Sequence, residues 1–264
     1  MDLVLSALME QKQDQNGRER GIDRVLKLFA YLNDYGRPVR VADLPKALGA
    51  PRSTIYELVR VLTEAGLLEV SGEDNRVFFG KLMYLYGTNY VRENDLIHRG
   101  TAEVDRLSRE TGETSELCVL YRNKQAIIHM SPGSRPMRIS SEVGSQISIP
   151  WTASGRVLLA HATADEIAER ITPDDLLLPD GRLLALTDFV QSCHDARGRD
   201  IVVTRGLINS FTQCFAAPII GPSGRPEATI CLVVPIDINE AQSERLQETL
   251  IASGRKLSVQ AARR

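Results

Sequence analysis

The chain has 264 residues, 43% of them hydrophobic and 25% charged, a length that suits two ordinary domains and a composition that suits buried cores rather than disorder. No apolar stretch approaches the roughly 20 residues of a membrane helix, Met1 to Glu10 is acidic where a secretory leader is basic, and the four dispersed cysteines lack any CxxC pair. A reduced, cytoplasmic protein is expected, with no membrane association, no metal and no cofactor, and the net charge of −2 leaves any nucleic-acid site to a local cluster of Lys and Arg.

The first periodic segment runs from Gly21 to Asn33, where Ile22, Val25, Leu26, Phe29 and Leu32 recur at helical spacing and predict one buried face. Tyr35-Gly36-Arg37-Pro38 stops it. A second helix is predicted over Val41 to Leu48, with Leu44 and Leu48 inward, Pro45 tolerated near its start and Gly49 closing it. A third opens at Pro51-Arg52-Ser53-Thr54 and buries Ile55, Leu58, Val59 and Leu62 before Gly66. Two helices across a short Gly-containing turn, behind a longer supporting helix, make a helix-turn-helix, whose second helix enters the DNA major groove. Leu67 to Val70 and Arg76 to Phe79, around the turn-rich Ser71 to Asn75, then read as the two strands of a wing.

Helical patterning returns from Leu82 to Val91 and from Asp95 to Glu110, with Asp95 as N-cap and Gly112 as stop. Strands are predicted at Glu116 to Tyr121, Gln125 to Met130, Met137 to Ser140 and Gln146 to Ile149. Helices follow at Thr152 to His161, Ala164 to Arg170 and Thr187 to Ala196. Strands at Gln213 to Ile220 and Glu227 to Pro235 precede a last helix from Asn239. The fold class is therefore α+β, with a largely antiparallel sheet in the second half. The organisation is a disordered or extended segment over 1–19, a winged helix-turn-helix over 20–81, a linker helix over 82–94 and a sensory domain over 95–264.

These segments carry a resemblance. Arg20-Gly21-Ile22-Asp23-Arg24-Val25-Leu26, Pro51-Arg52-Ser53-Thr54-Ile55-Tyr56 and Leu62-Thr63-Glu64-Ala65-Gly66-Leu67-Leu68 resemble the DNA-binding domain of the IclR family of bacterial transcriptional regulators. Thr111 to Thr114, Met137 to Ser140 with Val143-Gly144, Thr152 to Ala160 and Cys214 to Ile219 resemble that family's effector-binding domain in the same order. The likeness spans Arg20 to Ala262. It implies a GAF-like effector domain, homodimers that pair as dimers of dimers, and control of small-molecule catabolism.

A recognition helix needs polar, exposed side chains near its N-terminus, because these reach base edges and phosphates. Arg52, Ser53, Thr54, Tyr56 and Arg60 lie off the apolar stripe and fit that role, while Arg40, near the start of the second helix, and Arg76, in the wing, fit backbone contacts. The alternative is a merely solvated helix face. Glu57 stands where many relatives of the family carry a basic residue. Between Gly17 and Lys81 eleven Lys and Arg face nine Asp and Glu. So weak a field makes dimerisation, which matches two half-sites of double-stranded operator DNA, part of the binding expectation.

For the small-molecule effector, the Trp151-Thr152-Ala153 helix start offers free amides to a carboxylate or carbonyl. The resemblance further implies a pocket with Ile139, Ile147 and Ala153 on one wall and Thr204, Thr212, Cys214, Cys231 and Val233 on the other. Thr204 stands where that family can carry an acid, and Cys231 and Val233 where it can carry serine. The helix start fits a small organic acid, and a less polar pocket favours a semialdehyde, lactone or aromatic acid. Each apolar member fits a plain core position as well.

Two rival readings remain. Catalysis would need a nucleophile with a base, and Cys193-His194, Cys214 with His129 or His161, and Ser154 lack a catalytic surround such as GxSxG or HExxH, so no enzyme is expected. The other keeps the sensory domain but uses the winged helix for protein interaction.

Overall fold

A computed structural model describes residues 21–135 and 142–261. The segment 1–19 and the strand expected at Met137 to Ser140 fall outside the described residues. The chain divides between Glu93 and Asn94 into two compact units.

In the first unit, helix α1 (Gly21–Tyr35) buries Leu28 and Leu32, with Val25 and Phe29 packed beside them. The buried stripe thus runs 25, 28, 29, 32. Ile22 and Leu26, expected inside, are 66% and 46% exposed, because they lie about 120° and 160° around the helix from Leu28. The expected second helix is split. A 3-10 turn (Val41–Asp43) precedes α2 (Leu44–Leu48), since the Pro45 ring would clash with the carbonyl of Val41 in a continuous α-helix. Gly49 closes α2 at φ 62°, a left-handed conformation that glycine adopts without strain. Helix α3 (Arg52–Glu64) then starts behind Pro51 and buries Ile55, Val59 and Leu62. The wing is antiparallel, β2 (Leu68–Ser71) against β3 (Arg76–Phe79), with Leu68 opposite Phe79. A two-residue strand, β1 (Val39–Arg40), pairs with β3 and gives the order β1-β3-β2. Leu28, Leu32, Leu44, Ile55, Val59, Leu62, Leu68 and Val77 form one core. Helix α4 (Lys81–Glu93) contributes no buried residue, and Tyr84 on it is 76% exposed.

In the second unit, α5 (Asp95–Thr111) is capped by Asn94, whose Oδ1 accepts from Ile97 N at 3.1 Å. Asp95, expected as the cap, lies one step inside and pairs with Arg99. A six-stranded sheet follows in the order β6-β5-β4-β9-β8-β7, antiparallel at every pairing among the described residues. Its strands are β4 (Thr114–Tyr121), β5 (Lys124–Ser131), β6 (Gln146–Ser148), β7 (Val202–Arg205), β8 (Thr212–Ile220) and β9 (Pro226–Pro235). The period of two sorts their side chains. Leu117, Phe215, Ala217, Ile230, Leu232 and Val234 face α5 and the long α10 (Glu240–Ala261). Cys118, Ala216 and Cys231 face the opposite way, onto α6 (Ala153–Leu158). Small helices α7 (Ala164–Ala168), α8 (Pro173–Leu176) and α9 (Leu186–Asp195) extend that layer. Helix α6 stops well short of the expected His161, at a C-cap on Leu159. Gly155 in its first turn is tied to Ile149, because a Cβ there would lie 2.1 Å from the Ile149 carbonyl oxygen.

Candidate DNA-reading helix and effector cavity

Helix α3 sorts its side chains cleanly. With Ile55, Val59 and Leu62 inside, Arg52, Ser53, Tyr56 and Arg60 are exposed and Thr54 is half-buried. Arg52 lies over the Tyr56 ring, 5.1 Å from its centroid, and donates to the Tyr56 hydroxyl at 3.2 Å. Among the described residues Arg52 forms no ion pair. The other arginines are engaged. Arg60 pairs with Glu57 and Glu64, which it holds at 2.7 and 2.5 Å. Arg40 and Arg76 stand opposite each other on β1 and β3, and Asp74 in the wing turn takes both, at 2.9 and 3.5 Å. Hydrogen bonding from Arg40, and then its charge, hold the Asp74 carboxyl below the usual carboxylate value. Like charges on adjacent strands repel, and one wing carboxylate offsets both.

In the second unit a cavity of about 60 Å³ opens between α6 and the sheet. It brings together Ile147, Trp151, Thr152, Thr204, Thr212, Cys214 and Val233 of the expected site. Ala153 and Cys231 are fully buried behind this lining, in the small core that α6 shares with Cys118. Ile139 lies outside the described residues. Trp151 is fixed as a wall, its Nε1 donating to the Asp175 carbonyl at 2.8 Å. Asp175 is itself buried and takes Lys124, Ser148 Oγ (2.6 Å) and Thr172 Oγ1 (2.7 Å). The expected anion cradle at Thr152 is partly spent, because its Oγ1 caps α6 by accepting from Gly155 N at 2.9 Å.

Sequence reasoning missed two buried polar residues in the same wall, Glu116 and Gln125, and the loop Gly206, Leu207, Ile208, Asn209. Glu116 was findable. Two places before Cys118 on β4, it lies on the same face of the sheet, which puts a carboxylate on an inward-facing position. Ser154, also part of the lining, has its Oγ 2.9 Å from Cys231 Sγ and from Thr229 Oγ1. Hydrogen bonding to Cys231, then burial, push the Cys118 and Cys214 thiols well above the usual value.

The catalytic candidates do not assemble. Burial pushes the Cys193 thiol up to about 12, and His194 Nε2 sits 3.2 Å from the Ala162 carbonyl. His129 pairs with Asp105. Among the described residues no helix is long and apolar enough to cross a membrane, and no group of three or more His, Cys, Asp or Glu is placed to hold a metal ion.

Two family models match the chain. The IclR helix-turn-helix domain covers residues 21–72, and the bacterial transcriptional regulator IclR C-terminal domain covers residues 88–259. The chain belongs to the IclR family. The HTH-type transcriptional regulator KdgR of Escherichia coli is 24% identical over 94% of this chain and 95% of its own length. The transcriptional repressor IclR of the same species is 23% identical over 83% and 81%. Among solved structures, an IclR regulator from Alicyclobacillus acidocaldarius superposes with a TM-score of 0.79 at 18% identity, covering 92% of this chain and 99% of its own. An IclR homolog from Microbacterium hydrocarbonoxydans, complexed with 4-hydroxybenzoate, gives 0.78 at 20% identity, with the same coverage. The chain therefore has the IclR fold, a helix-turn-helix unit followed by an antiparallel-sheet domain, and relatives that are transcriptional regulators.

Proposed function

We propose that this IclR-family chain binds operator DNA in a sequence-specific way through α3 and the wing, and that a small-molecule effector in the second unit's cavity modulates that binding. One observation carries the reading: Arg52, Ser53 and Tyr56 sit exposed at the N-terminal end of α3 with an intact apolar face behind them. Arg52 is the residue suited to a guanine edge, since its fork can make two parallel hydrogen bonds. Ser53, Thr54 and Tyr56 serve phosphates. Arg60, Arg40 and Arg76, each already paired with a carboxylate, contribute less.

The effector is a small catabolic intermediate, of the organic acid, semialdehyde, lactone or aromatic acid classes. The solved relative that carries 4-hydroxybenzoate supports this use of the fold. Ile147, Trp151, Thr152, Thr204, Thr212, Cys214 and Val233 form its walls, and Ala153 and Cys231 support them. The working state is a homodimer, or a dimer of dimers. The exposed Ile22 and Leu26 on α1, and Tyr84, Leu85 and Tyr90 on α4, are apolar surfaces that a second copy would cover. Effector binding shifts affinity for DNA only as far as it prefers one packing of the two copies over the other.

A gel-shift titration on the protein's own upstream DNA tests the reading. A shift that weakens steeply with salt supports it, because phosphate contacts release counterions. Carboxylates on Arg40, Arg60 and Arg76 favour the second reading, a winged helix that docks protein. Binding to a protein partner with no salt-dependent DNA shift would establish that alternative.

A further inference from the structure

Arg52 and Tyr56 stand one turn apart at the start of α3, which makes them neighbours on one exposed face of the helix. Helical side chains lean toward the N-terminus, so Tyr56 reaches back to the turn that Arg52 opens. The Arg52 guanidinium lies over the ring, 5.1 Å from its centroid, and Nη2 donates to the Tyr56 hydroxyl at 3.2 Å. The ring covers one side of the guanidinium while the hydroxyl holds one of its N–H groups, so two contacts of different kinds orient a single side chain.

The holder is neutral, and that separates Arg52 from Arg60. The first turn of α3 carries no acidic residue, whereas Arg60 is held by Glu57 and Glu64. A carboxylate partner competes with DNA for the arginine and brings a negative charge toward the phosphates. An aromatic hydroxyl does neither. A guanidinium has five N–H groups, and a guanine edge needs two of them, for O6 and N7. Tyr56 takes only one, so the fork keeps enough donors for a base, and the tyrosine's own proton is left for a phosphate oxygen. A free arginine gives up rotamer freedom when it binds, and one already held by its neighbour gives up less.

We infer that Tyr56 is a positioning residue for Arg52, and that through Arg52 it sets a preference for guanine at one place in the recognised DNA. The inference rests on α3 being the DNA-reading helix and adds how its first arginine is aimed.

The test begins with the full-length protein selecting sites from a random-sequence duplex pool. Each guanine of the selected site is then replaced in turn by adenine, with its pair, and binding is followed by fluorescence anisotropy. For the wild type, replacing one guanine is expected to weaken binding about ten-fold or more, and in Arg52→Ala that preference vanishes. In Tyr56→Leu it shrinks by about three- to ten-fold, the loss expected from one exposed cation–π contact and one hydrogen bond. In Tyr56→Phe, which keeps the ring, it shrinks less. Losses from Arg52→Ala and Tyr56→Leu combined are less than additive, since one residue acts through the other. Tyr56 lies off the buried stripe, and Tyr56→Phe carries the test should Tyr56→Leu melt early. If Tyr56→Leu weakens the selected site and its guanine-replaced form by the same factor, with additive losses, Tyr56 is a phosphate contact only; the positioning role is overturned and α3 stays the reading helix. A pool from which the protein selects no duplex overturns both.

Discussion

Arg60 grips Glu57 one turn back on α3 with two parallel hydrogen bonds, Nε to Oε2 at 2.9 Å and Nη2 to Oε1 at 2.7 Å. This fork is the arrangement in which Arg and carboxylate match best. Hydrogen bonding from Arg60 holds the Glu57 carboxyl below its ordinary value, so at neutral pH the pair is fully charged on both sides. A phosphate approaching Arg60 must compete with that partner. Arg52→Ala is therefore expected to weaken operator binding by about 1–3 kcal/mol, the usual loss for a base-reading arginine. Arg60→Ala should cost less. Fluorescence anisotropy on labelled operator measures both, and a larger loss for Arg60→Ala would reverse the assignment.

Glu57→Gln tests the same pair from the acidic side. It frees Arg60 for the DNA backbone and should raise affinity, with a salt slope steeper by about 0.9 if one phosphate contact is gained. An unchanged slope would place Arg60 away from the duplex.

Beside the cavity, Lys124 and Asp175 form an ion pair whose side chains are 18% and 2% exposed. Burial alone would raise the Asp175 carboxyl, but hydrogen bonds from Lys124, Ser148 and Thr172 hold it below the usual value. Lys124→Met strands that carboxylate and is expected to destabilise the domain by about 3–5 kcal/mol. Lys124→Met with Asp175→Asn should recover part of the loss. Urea unfolding of these two variants and of Asp175→Asn alone measures it, and additive losses would mean that the two groups act independently.

Gly155→Ala asks whether the approach of α6 to Ile149 is as tight as it looks. The added methyl meets backbone, which cannot swing aside, so a loss of at least about 1–3 kcal/mol is expected, with a weakened response of Trp151 to ligands. Unaltered thermal stability would show that α6 shifts easily.

The pH dependence should centre on Glu103, which is 3% exposed on α5 and accepts from Arg106 at 2.5 Å and from Lys256 at 2.7 Å. Burial raises its carboxyl, yet hydrogen bonds from Arg106, Lys256 and Ser253 outweigh that and hold it at about 2. A carboxyl depressed on folding stabilises the native state above its unfolded value, near 4.5, and this stabilisation disappears as pH falls toward about 2. Glu103→Gln should therefore melt well below the wild type at neutral pH, and the gap should narrow as acid is added below about pH 4.5. A gap independent of pH would place the depression elsewhere.

Much of this was legible in the residues. Pro51, Gly49 and Gly66 punctuate the helix-turn-helix, and the alternation along β8 and β9 marks an antiparallel sheet. The errors have physical causes. Ile22 and Leu26 are apolar at helical spacing, and only the placement of the other helices decides that Leu28 and Leu32 are the buried pair. Strand β1 has two residues and α8 has four, too short for any period to show. Within the cavity, the expected residues came from a family pattern that did not include Glu116 or Gln125. A polar residue inside an apolar strand reads as a surface position until its neighbours fix which face it occupies. The pairing of Arg60 with Glu57 and Glu64 was visible as spacing alone.

The sheet's central seam joins β4 to β9, with Glu116 opposite Cys231. The two partners are separated by more than a hundred residues of intervening chain, so neither half of the sheet can complete its hydrogen bonding until β9 has been synthesised. Topologies with such distant pairings fold slowly, whereas the N-terminal unit draws its whole core from residues before position 80. On the ribosome the helix-turn-helix is thus expected to be finished while the second unit is still an open, aggregation-prone sheet, which makes chaperone demand a property of the second half of the chain.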